Sequence, residues 1–165
     1  MSRRLRLVLA TLAVLWAAAV ALAPALPTVV AATLYAAGSL ICHQIAERSF
    51  HLGAFQLPVC ARCFGLYAGG AAGAVASIVA ARPWRPAMRH RLGLTIVAAV
   101  PTLATWVLEH GLGWPFSNMA RAVAALPLAA VMAFVVSGGA PTLHYDGCAP
   151  RRPIGQGQCP PPANT

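Results

Sequence analysis

Residues 59–81 read VCARCFGLYAGGAAGAVASIVAA, and Arg62 is the only charge among them. A run of this length and apolarity is long enough to cross a bilayer as an α-helix. At about 100° per residue, Cys60, Cys63 and Tyr67 fall on one side of such a helix. Gly65, Gly69 and Gly73 fall on the opposite side, four residues apart. That is a repeated small-xxx-small pattern, which lets another helix approach closely. Arg62 lies nearer the glycine side. The thiols and the packing seam therefore occupy different surfaces of one helix.

The composition agrees with a membrane chain. The 165 residues are 59% hydrophobic and only 9% charged, with a mean hydropathy of +0.68. A soluble domain carries about 25% charged residues. So few charges cannot cover a globular surface, whereas a lipid-facing surface needs none. The net charge of +9 comes from 12 arginines and no lysine. They stand in short clusters at the ends of apolar runs, where membrane topology explains them, and this excludes nucleic-acid binding.

Upstream, Arg3, Arg4 and Arg6 lead into an apolar run over residues 5–23, long enough for a first span. The alternative is a signal peptide with Ala21-Leu22-Ala23 as its cleavage site, which Pro24 directly afterwards disfavours. Pro24 and Pro27 punctuate the chain. Residues 28–41 are apolar but short for a span, which predicts a re-entrant or interfacial helix reaching to about residue 46. Residues 47–58 read as a polar–apolar loop, with Pro58 placed to open the next helix.

Downstream, residues 82–91 (RPWRPAMRHR) hold four arginines and two prolines and predict a loop. Residues 92–110 predict a third span, kinked at Pro101. A tight turn over 111–116 follows, and Ser117 or Asn118 caps a fourth span to about residue 136. The expected fold is all-α: a polytopic membrane helix bundle of four spans plus one short re-entrant or interfacial helix. Residues 1–137 form a single membrane-embedded helical domain in this reading. Residues 138–165, rich in Gly and Pro, form a disordered cytoplasmic tail.

With four spans, the arginine clusters at the N-terminus, at 82–91 and at Arg151-Arg152 all lie on the cytoplasmic side, as the positive-inside rule requires. The chain is then a multi-pass protein of the cell inner (cytoplasmic) membrane with both termini cytoplasmic. Cys42, His43, Cys60 and Cys63 fall at the outer interface, together with a supporting polar cluster of Glu47, Arg48, Arg62, Glu109, Asn118 and Arg121. Ionisable groups at that depth pair with one another. Glu109 and Arg121 end adjacent helices across a short turn, so they are the expected pair, with Arg62 or Arg48 as competitors.

These residues carry a resemblance. Cys42-His43-Gln44, Glu47-Arg48-Ser49-Phe50, the stretch from Pro58 to Cys63 with Gly65, Tyr67 and Gly69, and Ser117-Asn118 with Arg121 closely resemble the signature of a family of prokaryotic membrane proteins, domain of unknown function 2085. The resemblance implies a compact multi-span membrane protein with these cysteines as its hallmark, and it brings no activity. Many members have an aspartate in the third span, where this chain has only Glu109.

Three chemistries suit the cysteines. Cys42, Cys60 and Cys63 with His43 make a Cys3His set, and Cys-x2-Cys is the usual half-site for zinc. Thiolate-rich sites also suit copper(I). His51 is a further candidate ligand. Alternatively, Cys60 and Cys63, at a helix N-terminus beside Arg62, have the features of a thiol–disulfide redox pair with Cys42 as resolving partner. The third reading is a structural disulfide from Cys42 to Cys60 or Cys63, in a membrane scaffold or transport subunit. Apart from zinc or copper, no cofactor is expected: haem lacks its C-x-x-C-H, and phosphate loops are absent. Cys148, Cys159, His144 and Asp146 belong to the tail, and Asp146 is the only aspartate, which leaves Ser/His/Asp catalysis without support. Beyond the lipid bilayer, the glycine ladder allows a homo-oligomer or a membrane partner protein.

Overall fold

The computed structural model describes residues 2–80 and 88–137. Helix α1 covers Arg3–Leu22 and closes in a 3-10 turn, Ala23–Ala25. Helix α2 covers Thr28–Ser39. A second 3-10 turn, Ala46–Arg48, leads into strand β1, Ser49–Leu52, and strand β2, Phe55–Cys60. Helices α3 (Ala61–Val79), α4 (Met88–Gly111) and α5 (Asn118–Ser137) follow. Four helices among the described residues are long and apolar enough to cross a membrane, and α2 is not. At 12 residues, α2 extends only about 18 Å, well short of a bilayer core.

The all-α expectation holds apart from one hairpin. Strands β1 and β2 pair antiparallel, with His51 opposite Gln56, Leu52 opposite Phe55 and Ser49 opposite Cys60, and an irregularity between Ser49 and His51. The local signal is the alternation Phe50, Leu52, then Phe55, Leu57, interrupted by Gly53. Gly53 turns the chain at φ +63°, where glycine has no steric penalty. Pro58 therefore lies inside β2 and does not open a helix. A ribbon of two strands has free edges on both sides, which is where proline is tolerated. Helix α3 begins at Ala61, two residues later than the apolar run alone suggests.

Two further boundaries move. Helix α2 stops at Ser39 instead of continuing to about 46: the N–H groups of Ile41 and Cys42 both turn back onto the carbonyl of Gly38, at 3.2 and 2.9 Å. Helix α4 starts at Met88, so Met88–Arg91 is helical where a loop was expected. The rest of that arginine-rich loop falls within 81–87, outside the described residues. The tail over 138–165, with His144, Asp146, Cys148 and Cys159, also lies outside them. Pro101 sits within a continuous α4. Ser117 caps α5, its Oγ accepting from the N–H of Ala120 at 3.1 Å.

Helix α3 packs between α1 and α5, and α4 packs on α5. The glycine ladder is the α3–α5 seam. A methyl group at Gly65, Gly69 or Gly73 would collide with the main chain of Ala122, Leu126 and Ala130 respectively. Glycine is required here for close backbone approach. Thr102 of α4 adds an interhelical hydrogen bond, its hydroxyl donating to the carbonyl of Ala124 at 2.7 Å. The small buried core lies at one end of the bundle, where Val20, Cys42 and Val59 meet under Trp16, Phe64 and Tyr67. Trp16 meets Tyr67 edge to face, ring centres 5.9 Å apart.

The C-terminal end of α1, the hairpin, the start of α3, the end of α4 and the start of α5 all converge at that end. Arg3, Arg4, Arg6, Arg89 and Arg91 sit at the helix ends remote from it.

Candidate functional site

Cys60 ends β2 and is the N-cap of α3, so Cys63 stands one turn along on the same face. Cys42 arrives from the turn after α2 and is buried at 6% exposure. All three are free thiols, and their sulfur atoms lie within 4.8 Å of one another. The main-chain N–H of Cys60 donates to the Cys42 sulfur at 3.1 Å. The Cys63 thiol donates to the Cys60 sulfur, and this drives the Cys60 pKa down to about 5 against the opposing effect of burial. A thiolate is thus available at neutral pH next to two further thiols.

The neighbouring histidines stand apart from the sulfurs. His43 is exposed and is not a member of the three-thiol group; the chain turns between Cys42 and the positive φ of Gln44, 51°. It does line the cavity next to the cluster. His51 is exposed on β1, away from the thiols.

The structure gives Gln44 a role that the sequence did not reveal. Its side-chain amide donates to the carbonyls of Tyr35, at 2.8 Å, and Pro58, at 2.7 Å. In return Gln56 donates to the Gln44 carbonyl at 3.2 Å. The Tyr35 hydroxyl donates to the Gln56 carbonyl. Gly38 lets this happen, because a side chain there would strike the Pro58 carbonyl and the Gln44 amide. Gln44 thus clamps the end of α2 to β2 and fixes Cys42 against Cys60. Its position next to Cys-His was the only available signal.

Beside the thiols lies an ionic network centred on Glu109, whose side chain is 6% exposed. Arg121 reaches it with two nitrogens, Nη2 to Oε1 at 2.8 Å and Nε to Oε2 at 3.3 Å. Arg62 Nη2 stands 3.1 Å from Oε2, and Arg48 Nε 3.4 Å from Oε1. The expected competitors are therefore additional partners, and one carboxylate holds three guanidinium groups. Asn118 accepts from Arg121 Nη1 at 2.7 Å and donates to the Ser49 carbonyl at 2.9 Å, joining α5 to the hairpin. Ser49, fully buried, donates to the Ile45 carbonyl at 2.8 Å. Glu47 is exposed and takes no part in the network.

Arg48 also meets His110, with Nη1 3.3 Å from Nε2. An arginine can only donate, so Nε2 accepts and Nδ1 carries the proton that goes to the Trp106 carbonyl at 3.0 Å. The His110 ring stacks on Trp106, centres 4.8 Å apart. Their i, i+4 spacing was the one sequence hint of this wall. Between the thiols and the arginines is a cavity of about 370 Å³, lined by all three cysteines, Arg48, Arg62 and Arg121, both histidines 43 and 110, and the apolar Ile41, Ile45 and Trp106.

Fold and site together define a multi-span membrane protein with a three-thiol cluster beside an arginine–carboxylate network. The chain belongs to the predicted membrane protein family DUF2085, whose profile matches residues 42–135. The match starts at Cys42 and takes in every residue of the cluster and of the network. A 36-residue stretch is 58% identical to the uncharacterized protein MJ1492 of Methanocaldococcus jannaschii, over 22% of this chain and 23% of that protein. The match thus spans about a quarter of that relative's length. No solved structure matches the chain.

Proposed function

We propose that this membrane protein binds a transition metal, zinc or copper(I), through Cys42, Cys60 and Cys63. The single observation that carries the reading is the mutual approach of three sulfurs within 4.8 Å. Around an ion with sulfurs at about 2.3 Å, a tetrahedral set has its sulfurs about 3.8 Å apart, so small rotamer changes close the set. The N–H of Cys60 on the Cys42 sulfur is the kind of second contact that orients a thiolate ligand. His43, exposed at the cavity wall, supplies a fourth ligand only by swinging inward. The open position otherwise faces the cavity.

In this reading residues 1–137 form one membrane-embedded domain followed by a cytoplasmic tail. The cluster faces the outer side of the inner membrane, and both termini are cytoplasmic. Support comes from the placement of Arg3, Arg4, Arg6, Arg89 and Arg91 at the opposite helix ends. The supporting polar cluster of Arg48, Arg62, Glu109, Asn118 and Arg121 keeps the ends of α3, α4 and α5 together so that the sulfurs stay in register.

One observation favours a second reading, a thiol–disulfide exchange protein. It is the low pKa of Cys60 at a helix N-terminus. The Cys60 thiolate would attack a partner protein's disulfide and release one partner thiolate. The Cys63 thiolate would then attack the Cys60 sulfur of the mixed disulfide and expel the partner's second thiolate, leaving a Cys60–Cys63 disulfide and a reduced partner.

Metal analysis of the purified full chain, combined with thiol counting before and after reduction, tests the proposal. The expected result is one zinc or copper per chain, lost in Cys42→Ser. Metal-free protein whose thiols appear only after reduction would overturn it in favour of the disulfide reading.

A further inference from the structure

The metal reading gives the arginines of the cavity only a supporting part and does not account for their excess charge. Three guanidinium groups converge on Glu109, and both oxygens of that carboxylate are already occupied twice, by Arg48 and Arg121 on one and by Arg62 and Arg121 on the other. The network therefore carries two uncompensated positive charges. It lies at the ends of apolar helices, where an unbalanced charge is costly and marks a binding site.

The donors are also unevenly used. Arg121 is committed to Glu109 and Asn118. Arg62 uses Nη2 on Glu109, while its Nε is buried with no hydrogen-bond partner. A buried donor left unmatched costs roughly 1–3 kcal/mol, more when charged. Arg48 is 37% exposed along its side chain and lines the cavity beside His110. Both arginines line the same cavity together with the three cysteines, Gln44, both histidines and Arg121, and Ile41, Ile45 and Trp106 give it an apolar side.

We propose that this cavity binds a phosphate group, through Arg62 and Arg48, as the headgroup of an anionic phospholipid or as a soluble phosphate. Glu109, itself fixed by Arg121, holds the two guanidinium forks in place. A fork that gives one edge to Glu109 still has N–H groups for a phosphate oxygen, and arginine is suited to that recognition. The apolar walls have room for the organic part of an ester. The thiols line the same cavity, but the proposed phosphate contacts come from the arginines, so this site does not require the metal.

The test uses the full chain, reduced and stripped of metal, in a neutral detergent. Inorganic phosphate is titrated with chloride as control. In parallel, the protein is incorporated into vesicles of phosphatidylcholine with and without phosphatidylglycerol, and retained lipid is measured by native mass spectrometry. Saturable binding of either phosphate or phosphatidylglycerol is expected. Arg62→Gln should weaken it at least about tenfold, the loss of one charge-assisted contact, while Arg62→Lys retains part of it. Retention of phosphatidylglycerol alone identifies the lipid source, and saturation by inorganic phosphate identifies the soluble one. Glu109 keeps two partners in Arg62→Gln, so folding is expected to persist, and the thermal midpoint without ligand checks it. If the wild type binds neither probe, or if Arg62→Gln and Arg48→Gln both bind as wild type does, the proposal is overturned.

Discussion

The main-chain N–H of Cys60 points at the sulfur of Cys42 from 3.1 Å. Eighteen positions apart in sequence, the two residues are joined where the chain leaves the hairpin and starts α3. An N–H at a helix start favours negative charge, by its own dipole and by that of the helix behind it. The contact therefore fixes the Cys42 sulfur at the start of α3, beside Cys60. Cys42→Ser keeps an acceptor for this N–H but offers a poorer ligand for a soft metal. Bound zinc or copper should fall to the level of a metal-free control, with little change in the thermal midpoint of the metal-free protein. Inductively coupled plasma analysis beside a thermal scan checks both.

Cys60 should react as a thiolate well below the pH where ordinary thiols do. Its pKa is lowered to about 5, against about 8.5 for a free thiol. Alkylation of the reduced, metal-free protein should already be near its plateau at pH 7 at Cys60. The sign for stability follows. The unfolded chain keeps a proton on this thiol that the folded chain has lost, so stability rises with pH between about 5 and 8.5 and is lost as pH falls through about 5. A rate at Cys60 that climbs with pH through 8.5 would contradict this.

Glu109→Gln removes the one counter-charge that three arginines share. Breaking a buried pair by removing one partner costs about 3–5 kcal/mol, because the charges left behind remain desolvated. The thermal midpoint should fall sharply, and Glu109→Asp should recover part of the loss. Unchanged stability in Glu109→Gln would mean that solvent already screens the network.

Gly69→Ala and Gly70→Ala differ by one residue and should behave in opposite ways. A methyl at Gly69 meets the main chain of Leu126, whereas a methyl at Gly70 meets nothing within 4 Å. Overpacking the seam costs about 1–3 kcal/mol. In the open position alanine gains up to about 1 kcal/mol of helix propensity. Chemical denaturation in detergent, with both variants against wild type, measures the split.

The long apolar runs and the glycine spacing carried most of the fold, because lipid imposes one requirement on every spanning residue and a four-residue repeat has one use on a helix. The Arg121–Glu109 pairing was also legible, since a six-residue turn leaves little choice. The hairpin was not. Its strands are short, one of them contains Pro58, and the signal competes with the stronger apolar run beginning at Val59. His43 was expected among the ligands because adjacency in sequence suggests adjacency in space. That histidine lines the cavity beside the thiols but is not among the three residues whose ligand atoms meet. The clamp by Gln44 depends on carbonyls of Tyr35 and Pro58, and main-chain acceptors leave no trace in side-chain patterns.

The tip of the hairpin offers a practical handle. Gly53 is exposed, lies at φ +63° and has nothing within 4 Å of where a side chain would stand. One end of the hairpin, Cys60, belongs to the sulfur cluster, while Gly53 lies at the opposite end, in the turn. A short epitope spliced between Gly53 and Ala54 should leave the thiol cluster undisturbed and report, by antibody access to intact cells, which side of the membrane the cluster faces.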